Sequence, residues 1–170
     1  MDKIYTTQLI GLLKKINDTQ PDELENAARL LSQSIMANGT IYVKGIAELK
    51  ALEYATTASF ESLPNGVIYS KQSFSSTDRF LLFSPDASDS ETKELLKVCN
   101  EESVPVVLIV TGAYGGSEVD ADSLIELGLT KGLTPNEQGE RVGHPGLIAT
   151  LFMYNQLYLN TLDIVNELKD

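Results

Sequence analysis

The sequence of 170 residues contains one cysteine, one histidine and no tryptophan. With Cys99 as the only thiol, a disulfide framework within the chain is excluded, and a buried structural cysteine in a reducing compartment is the expected arrangement. With His144 as the only imidazole, a zinc site built on two histidines is excluded as well. We therefore predict a cytoplasmic protein with neither a metal nor another cofactor.

Basic residues are in the minority: 13 Lys and Arg stand against 24 Asp and Glu, which gives a net charge of -11 at pH 7. A surface of this sign repels the phosphates of nucleic acids and anionic lipids, so we expect neither a nucleic acid nor a membrane as a partner. Long apolar runs are also missing, because none approaches the roughly 18 residues that a membrane-spanning helix needs. The N-terminal residues do not have the pattern of a signal peptide.

What the sequence does contain is an alternation of helical and strand patterns, which we interpret as one domain over residues 1–170. Helices are predicted at residues 5–17, 19–38, 48–60, 90–100 and from 145 almost to the end, and strands at 40–44, 67–69, 79–83, 104–110 and 123–129. The strands at 79–83 and 104–110 are apolar on both faces, which is typical of the middle of a parallel sheet. The predicted fold class is α/β, a three-layer sandwich with a mostly parallel central sheet flanked by helices.

Small polar residues follow the predicted strand at 79–83, and in sheets of this kind ligands bind beyond the carboxyl ends of the strands. Ser84, Ser88 and Ser90 lead into a helix. The N-terminus of a helix offers unpaired N–H groups and a partial positive charge. These hydroxyl and amide groups predict a pocket for a phosphate or a carboxylate, with the three serines as binding residues.

The same segment has a second interpretation, in which it only closes the end of the helix. Ser88 and Glu91 have the Ser-x-x-Glu spacing of a capping box, which uses the N–H groups internally. Asp86 and Asp89 also oppose an anion, because unpaired carboxylates beside it would repel it. The residue pattern leaves both interpretations open.

Two further groups lie after predicted strands. Thr111 and Gly112 begin a glycine-containing loop, residues 111–117, which either shapes the floor of a binding site or is an ordinary connection. His144 precedes the last helix, where it either transfers protons or helps to close the helix start. The candidate cations for an anionic ligand are Lys44, Lys131 and Arg141. Solvated surface is the alternative for each of them.

The order of these elements, with a serine-rich loop after one strand and Thr111-Gly112 after the next, resembles the sugar isomerase (SIS) domain and, within it, the phosphoheptose isomerases. The resemblance covers roughly residues 5–168. SIS domains carry a Ser-x-Ser-Gly-x-Ser/Thr pattern that wraps a sugar phosphate. Ser84 and Ser90 match the ends of this pattern, with one extra residue between them. The resemblance implies a flavodoxin-like topology, a sugar phosphate or other small anionic carbohydrate derivative as ligand, and a homodimer or homotetramer.

The sequence departs from the SIS pattern at positions that matter for catalysis. After the first strand SIS domains usually have a turn such as Gly-Asn-Gly-Gly-Ser, of which only Gly45 is present; the resemblance makes Gly45 a binding residue. Phosphoheptose isomerases use a Glu from the helix that follows this turn, and a His within the C-terminal helix, for proton transfer. Glu61 is an approximate counterpart of that Glu, whereas the helix contains no His and His144 precedes it. Glu61 and His144 are therefore the candidate catalytic residues.

One primary expectation and three alternatives follow. The expected function is binding of a phosphosugar or another carbohydrate derivative, and the sequence leaves open whether any catalysis accompanies it. One alternative is an active aldose–ketose isomerase of sugar phosphates, and another is an SIS fold that serves only as a dimeric scaffold. A receiver-like signalling domain would use Asp86, Thr111 and Lys131, but the acidic pair that holds Mg²⁺ after the first strand of that fold is missing.

Overall fold

Helices and strands alternate along the chain in the computed structural model, which describes residues 1–113 and 118–170. The helices of this part are α1 (Asp2–Thr19), α2 (Pro21–Met36), α3 (Ala51–Thr57), α4 (Ser90–Glu101) and α5 (Gly146–Lys169). The strands are β1 (Ile41–Gly45), β2 (Gly66–Ile68), β3 (Arg79–Ser84), β4 (Val106–Val110), β5 (Ser123–Glu126), β6 (Thr134–Pro135) and β7 (Arg141–Val142). A short 3-10 turn, Ala47–Lys50, leads into α3.

The central sheet has five parallel strands in the order β2-β1-β3-β4-β5. This order confirms the predicted α/β sandwich with a parallel sheet and a flavodoxin-like topology. The strand order reverses between β1 and β3, so the crevice between their carboxyl ends is the expected place for a ligand. The antiparallel β6–β7 hairpin was not predicted, because strands of two residues are too short to show an alternating pattern.

The strand β3 shows why the sheet is buried on both faces. Leu81 and Phe83 point to one side and pack into a core that is covered by α2 and α5. Phe80 and Leu82 point to the other side and pack into a second core beneath α4. All four side chains are fully buried, as the unbroken apolar run predicts for a central parallel strand.

The helix predicted at residues 48–60 is shorter than expected, and this prediction was wrong in its bounds. A 3-10 turn takes its first residues, and α3 ends at Thr57. Hydroxyl groups at the end of α3 bond to carbonyl groups of the preceding turn: Thr57 donates to the Glu53 carbonyl, and Ser59 to that of Ala55. Hydroxyl side chains that compete for helical carbonyls disfavour continued helix, which accounts for the early end.

The C-terminal helix α5 starts close to the carboxyl edge of the sheet. Its buried residues recur at helical spacing, from Gly146 through Ala149 and Met153 to Leu157. The N-terminal α1 is attached more loosely, because Ile16 is its one fully buried residue. The first turn of α5 is therefore held firmly beside the strand ends, whereas α1 covers the outside of the helical layer.

Candidate functional site

The loops that leave β3 and β4 run side by side beyond the sheet. The Thr111 N–H donates to the Ser84 carbonyl at 3.0 Å, and the Gly112 N–H donates to the Pro85 carbonyl at 3.0 Å. The structure thus brings Ser84, Thr111 and Gly112 together at one edge. Residues 114–117, in the remainder of the predicted binding loop, lie outside the described part of the chain.

The hydroxyl groups of Ser84 and Thr111 are turned into the protein. Ser84 is fully buried, and its Oγ donates to the Asp86 carbonyl at 2.8 Å and lies 2.7 Å from Thr92 Oγ1. Thr111 is 2% exposed, and its Oγ1 lies 3.4 Å from Thr150 Oγ1 on α5. These contacts connect the two loops to α4 and α5, so the buried side chains of both residues support the carboxyl edge of the sheet.

The N-terminus of α4 is capped by Asp89, so the capping box of Ser88 and Glu91, one of the two interpretations of this segment, was wrong. Asp89 Oδ2 accepts hydrogen bonds from the Thr92 N–H at 2.9 Å and from Thr92 Oγ1 at 3.2 Å. Asp is as good an N-cap as Ser, and here it stands directly before the first helical residue. Within the described residues, the N–H groups of Ser90 and Glu91 have no hydrogen-bond acceptor.

Ser88 is exposed and is bound to the carboxylate of Asp86. Asp86 Oδ1 accepts from the Ser88 N–H and from Ser88 Oγ, each at 2.8 Å. These two hydrogen bonds, followed by the positive charge of Lys93, lower the pKa of Asp86 below its ordinary value. A negative charge therefore stands beside the free amides of α4, next to a lysine that the sequence analysis did not single out.

The turn after β1 is closed by a buried carboxylate that the sequence analysis missed. Glu53, on α3, is 2% exposed, and its Oε1 accepts from the Gly45 N–H at 3.1 Å. The ammonium group of Lys44 lies 3.8 Å from the same oxygen. A Cβ on Gly45 would lie 2.1 Å from the Leu49 carbonyl oxygen.

Gly45 consequently has a packing role in the turn after β1, and its predicted binding role stays a prediction. The Gly45 N–H already donates to Glu53, and the 3-10 turn fills the space that a side chain on Gly45 would need. The signal for Glu53 was available in the sequence, since it lies at helical spacing from Leu49 and Thr56, which are also buried. A carboxylate on such a buried face needs a partner inside the protein.

His144 lies at the start of α5, beside Thr111. Its Nδ1 accepts a hydrogen bond from the Gly146 N–H at 3.1 Å. A Cβ on Gly146 would lie 2.9 Å from His144 Nδ1 and 3.0 Å from Thr111 Cγ2, so the imidazole and the threonine methyl both pack against this glycine. The contact matches the alternative that His144 helps to close the start of the last helix.

Glu61 contacts α5 through its backbone. It is exposed, and its backbone carbonyl accepts a hydrogen bond from the hydroxyl of Tyr154. Burial, then the neighbouring Tyr158 and Glu61, raises the pKa of that phenol. Tyr154 follows Gly146 by eight residues, which is about 12 Å along a helix axis. The Tyr154 contact of Glu61 and the Gly146 contact of His144 therefore start from positions about two turns apart on α5.

The predicted cations have different surroundings. Arg141 donates to the carbonyl groups of Gly132 and Leu133 at 3.1 and 2.9 Å, so it stabilises the segment around the β6–β7 hairpin. Lys131 is exposed, and Lys44 is paired with Glu53. Lys44 and Arg141 thus have partners of their own away from α4.

A groove of about 460 Å³ lies beside the serine-rich loop, between α4 and residues 118–120. It is lined by Ala87, Ser88, Lys93, Leu96, Lys97, Asn100, Glu101, Glu118, Val119 and Asp120. A cavity of about 790 Å³ lies elsewhere, between α2 and the C-terminal half of α5. The groove is the better candidate for a ligand, because it adjoins the carboxyl edge of the sheet.

Residues 1–113 and 118–170 contain neither a membrane-spanning helix nor a cluster of potential metal ligands. Among their helices, none has the length and apolar character needed to span a bilayer. These residues also do not bring three or more His, Cys, Asp or Glu side chains together in a group that could hold a metal ion.

The fold is that of the sugar isomerase domain, and solved structures confirm the resemblance. The phosphoheptose isomerase GmhA from Neisseria gonorrhoeae matches with a TM-score of 0.67 at 13% identity, over 94% of each chain. The E. coli CFT073 protein c3406, solved in complex with a sugar phosphate, matches with a TM-score of 0.64 at 12% identity, over 96% of this chain and 89% of that one. At these identities the likeness shows the fold alone.

The chain belongs to the family described as Domain of unknown function (DUF2529), whose model matches residues 1–165. The uncharacterized protein YwjG of Bacillus subtilis (strain 168) is 33% identical over 171 residues, which cover 98% of this chain and 99% of that protein. Fold and family are therefore settled over almost the whole chain.

Proposed function

We propose that this chain binds a small phosphorylated carbohydrate at the carboxyl edge of β3 and β4 and does not convert it. The proposal depends on the Ser90 and Glu91 amides at the N-terminus of α4, which find no acceptor among residues 1–113 and 118–170. Amides in this position, with the positive end of the helix dipole behind them, bind phosphoryl oxygens without needing a cationic side chain. The neighbouring proteins of the same fold include one solved with a sugar phosphate, which supports the ligand class.

Other groups at the edge suit the carbohydrate part of such a ligand. The groove beside Ser88 offers apolar surface at Ala87, Leu96 and Val119, and ammonium groups at Lys93 and Lys97. Its volume of about 460 Å³ lies within the range of roughly 300–1,000 Å³ that small-molecule sites occupy. In the proposed complex the phosphoryl group lies on Ser90 and Glu91, and the sugar extends along this groove.

The charge of Asp86 lowers the affinity of the proposed site for an anion but does not prevent binding. Its carboxylate is occupied by Ser88 and lies near the charge of Lys93. The helix dipole and the two amides act at direct contact, whereas the carboxylate is exposed and screened by water. We therefore propose modest affinity for the anion rather than exclusion of it.

Binding without catalysis is favoured over isomerase activity by the placement of the candidate bases. An aldose–ketose isomerase moves a proton between adjacent carbons, so its base must reach that proton directly or through one water. The backbone of Glu61 is held by Tyr154, about two helical turns from Gly146, and His144 Nδ1 is occupied by the Gly146 amide. We expect no turnover of sedoheptulose 7-phosphate or of hexose phosphates.

Thermal unfolding with a panel of sugar phosphates tests the proposal. A ligand at a hundredfold excess over its dissociation constant adds about 2.7 kcal/mol, or roughly 5–10 °C in melting temperature for a chain of this size. The matched neutral sugars should give no shift. If the whole panel leaves the melting temperature unchanged, the dimeric scaffold is the better account of the fold.

Two substitutions at Ser90 distinguish ligand binding by its backbone amide from ligand binding by its hydroxyl group. Proline is well tolerated at the first position of a helix, and it removes the N–H group that the proposal needs. The preceding Asp89 has φ −56° and ψ 138°, a conformation that a following proline accepts. Ser90→Pro should fold and lose the sugar-phosphate shift, whereas Ser90→Ala should keep most of it. Equal shifts in both variants would rule out the Ser90 amide as a ligand contact.

A homodimer belongs to the proposal as well. The exposed residues Leu147, Leu151 and Leu159 of α5 lie on one helical face. A shallow apolar cavity of about 300 Å³ lies between Ile10 of α1 and Phe152 of α5. We propose that a second copy covers this face, in the cytoplasm. Light scattering tests the assembly: Leu151→Asp should yield monomers, and a wild-type monomer at high concentration would refute it.

A further inference from the structure

We infer that His144 is fixed as the tautomer with its proton on Nε2, so that at the carboxyl edge of the sheet it can donate a hydrogen bond but cannot act as a base. A neutral imidazole has one N–H donor and one nitrogen lone pair. In this structure the Nδ1 lone pair accepts the Gly146 N–H at 3.1 Å. The proton of the neutral ring must therefore lie on Nε2.

The orientation of the ring is fixed by Gly146 in two ways. Its amide supplies the hydrogen bond to Nδ1, and its missing Cβ leaves the space in which the ring lies, since a Cβ would come within 2.9 Å of Nδ1 and 3.0 Å of Cε1. Any other L-residue at this position would force the ring away. The exposed side chain of His144 then carries its remaining N–H on the opposite nitrogen.

This arrangement changes the chemistry available to His144. One nitrogen has its lone pair occupied and the other already bears a proton, so the neutral ring has no free lone pair with which to remove a proton from a substrate. It can donate to a hydroxyl or phosphoryl oxygen. The identity of that acceptor rests on the proposed binding of a sugar phosphate, whereas the tautomer does not.

The tautomer is tested in the ligand-free protein. His144 is the only histidine, so ¹⁵N-labelled protein gives one imidazole spin system. In alkaline buffer, where the neutral ring is observed, the spectrum should show a protonated Nε2 and an unprotonated Nδ1. A proton on Nδ1, or rapid exchange between both forms, would overturn the inference whether or not any ligand binds.

Two substitutions at His144 distinguish the role of its Nε2 N–H as a donor from the role of its Nδ1 as the acceptor for the Gly146 amide. The amide oxygen of asparagine can replace Nδ1 as the acceptor for Gly146, but asparagine has no group at the position of Nε2. Glutamine reaches the position of Nε2 with an N–H donor, but it leaves the Gly146 amide without its acceptor. His144→Asn should therefore keep the wild-type melting temperature, and His144→Gln should lower it.

The affinity for sedoheptulose 7-phosphate should fall in His144→Asn and be largely kept in His144→Gln, the reverse of the order expected for the melting temperatures. Loss of one hydrogen bond in His144→Asn should weaken binding about tenfold, whereas His144→Gln should bind within about threefold of wild type. Unchanged binding in His144→Asn would mean that the residue only closes the helix. If the wild-type protein binds no sugar phosphate at all, the proposed function fails, and the spectrum still decides the tautomer.

Discussion

The side-chain amide of Gln20 pairs with both backbone hydrogen-bonding groups of Glu126. The Glu126 N–H donates to Gln20 Oε1 at 3.0 Å, and Gln20 Nε2 donates to the Glu126 carbonyl. Glu126 ends β5, an edge strand of the sheet, so the glutamine occupies positions that a further strand would take. Open strand edges are sites of unwanted pairing between chains, and a covering side chain blocks them.

Replacement of this glutamine should weaken the fold and expose the edge. Gln20→Ala removes two partly buried hydrogen bonds, which we expect to lower the free energy of unfolding by about 1–2 kcal/mol. Chemical denaturation measures the loss, and light scattering on warming measures any added association. Gln8→Ala, at an exposed position of α1, is the control and should change little. Equal stability of the two variants would contradict the role of the pairing.

The turn after β1 contains a strained residue that glycine should relieve. Ala47 has φ +54°, in the left-handed region, at a place where the SIS pattern has glycines. Ala47→Gly should raise the free energy of unfolding by about 0.5–1 kcal/mol, because the steric cost of alanine there exceeds the entropic cost of glycine. Ala51→Gly, where φ is −58°, should have the opposite sign. A loss of stability in Ala47→Gly would show that the turn is not strained.

Asp86 should act against anion binding. Asp86→Asn keeps an oxygen that can accept from Ser88 and removes the charge beside the amides of α4. Two unit charges 4 Å apart in water interact by about 1 kcal/mol, so affinity for a sugar phosphate should rise about fivefold. Calorimetry measures the change. Asp163→Asn, on the distant part of α5, removes the same net charge and should leave the affinity unchanged; equal gains in both would implicate overall charge instead.

Cys99 should be inert in the folded protein. It is 1% exposed, and burial, followed by the charge of Asp122, raises its pKa from 9.0 to about 12. At pH 8 the thiolate fraction should fall on the order of a thousandfold below that of a free cysteine. A colorimetric disulfide reagent should react only after denaturation, and fast reaction with native protein would contradict the burial.

The same shift of the Cys99 pKa has a consequence for stability at alkaline pH. Because the pKa is raised in the folded state, the neutral thiol contributes its stability fully below about pH 9. That contribution should be lost as the pH rises from there toward 12, since the unfolded chain releases its proton first. Denaturation midpoints measured across this range should therefore fall, and less steeply in Cys99→Ala.

The fold could be predicted from the sequence because the residues that form the core have the clearest apolar pattern. The apolar run from Phe80 to Phe83 predicted a central strand, and the structure buries it on both faces. The hairpin β6–β7 was not predictable in this way, since two-residue strands are held by contacts such as that of Arg141 with Gly132. Burial leaves a periodic pattern in sequence, whereas single hydrogen bonds do not.

The candidate site was less predictable, because each of its polar residues had several possible partners. Ser88 and Asp89 are both good caps, and the sequence does not say which of them reaches Thr92. Gly45 and Glu53 are eight residues apart, and their contact depends on the turn between them. Which of these hydrogen bonds forms depends on distances of a few ångströms in the folded chain, and a sequence pattern does not contain such distances.

The most direct test of the account is an amide NMR titration of the ¹⁵N-labelled protein with a sugar phosphate. The N–H resonances of Ser90 and Glu91 should move downfield and saturate, with smaller changes at Ser88 and along the groove beside α4. Inorganic phosphate should move the same two resonances more weakly. Saturable binding that leaves both amides unmoved, or perturbs a different part of the fold, would contradict the proposed site.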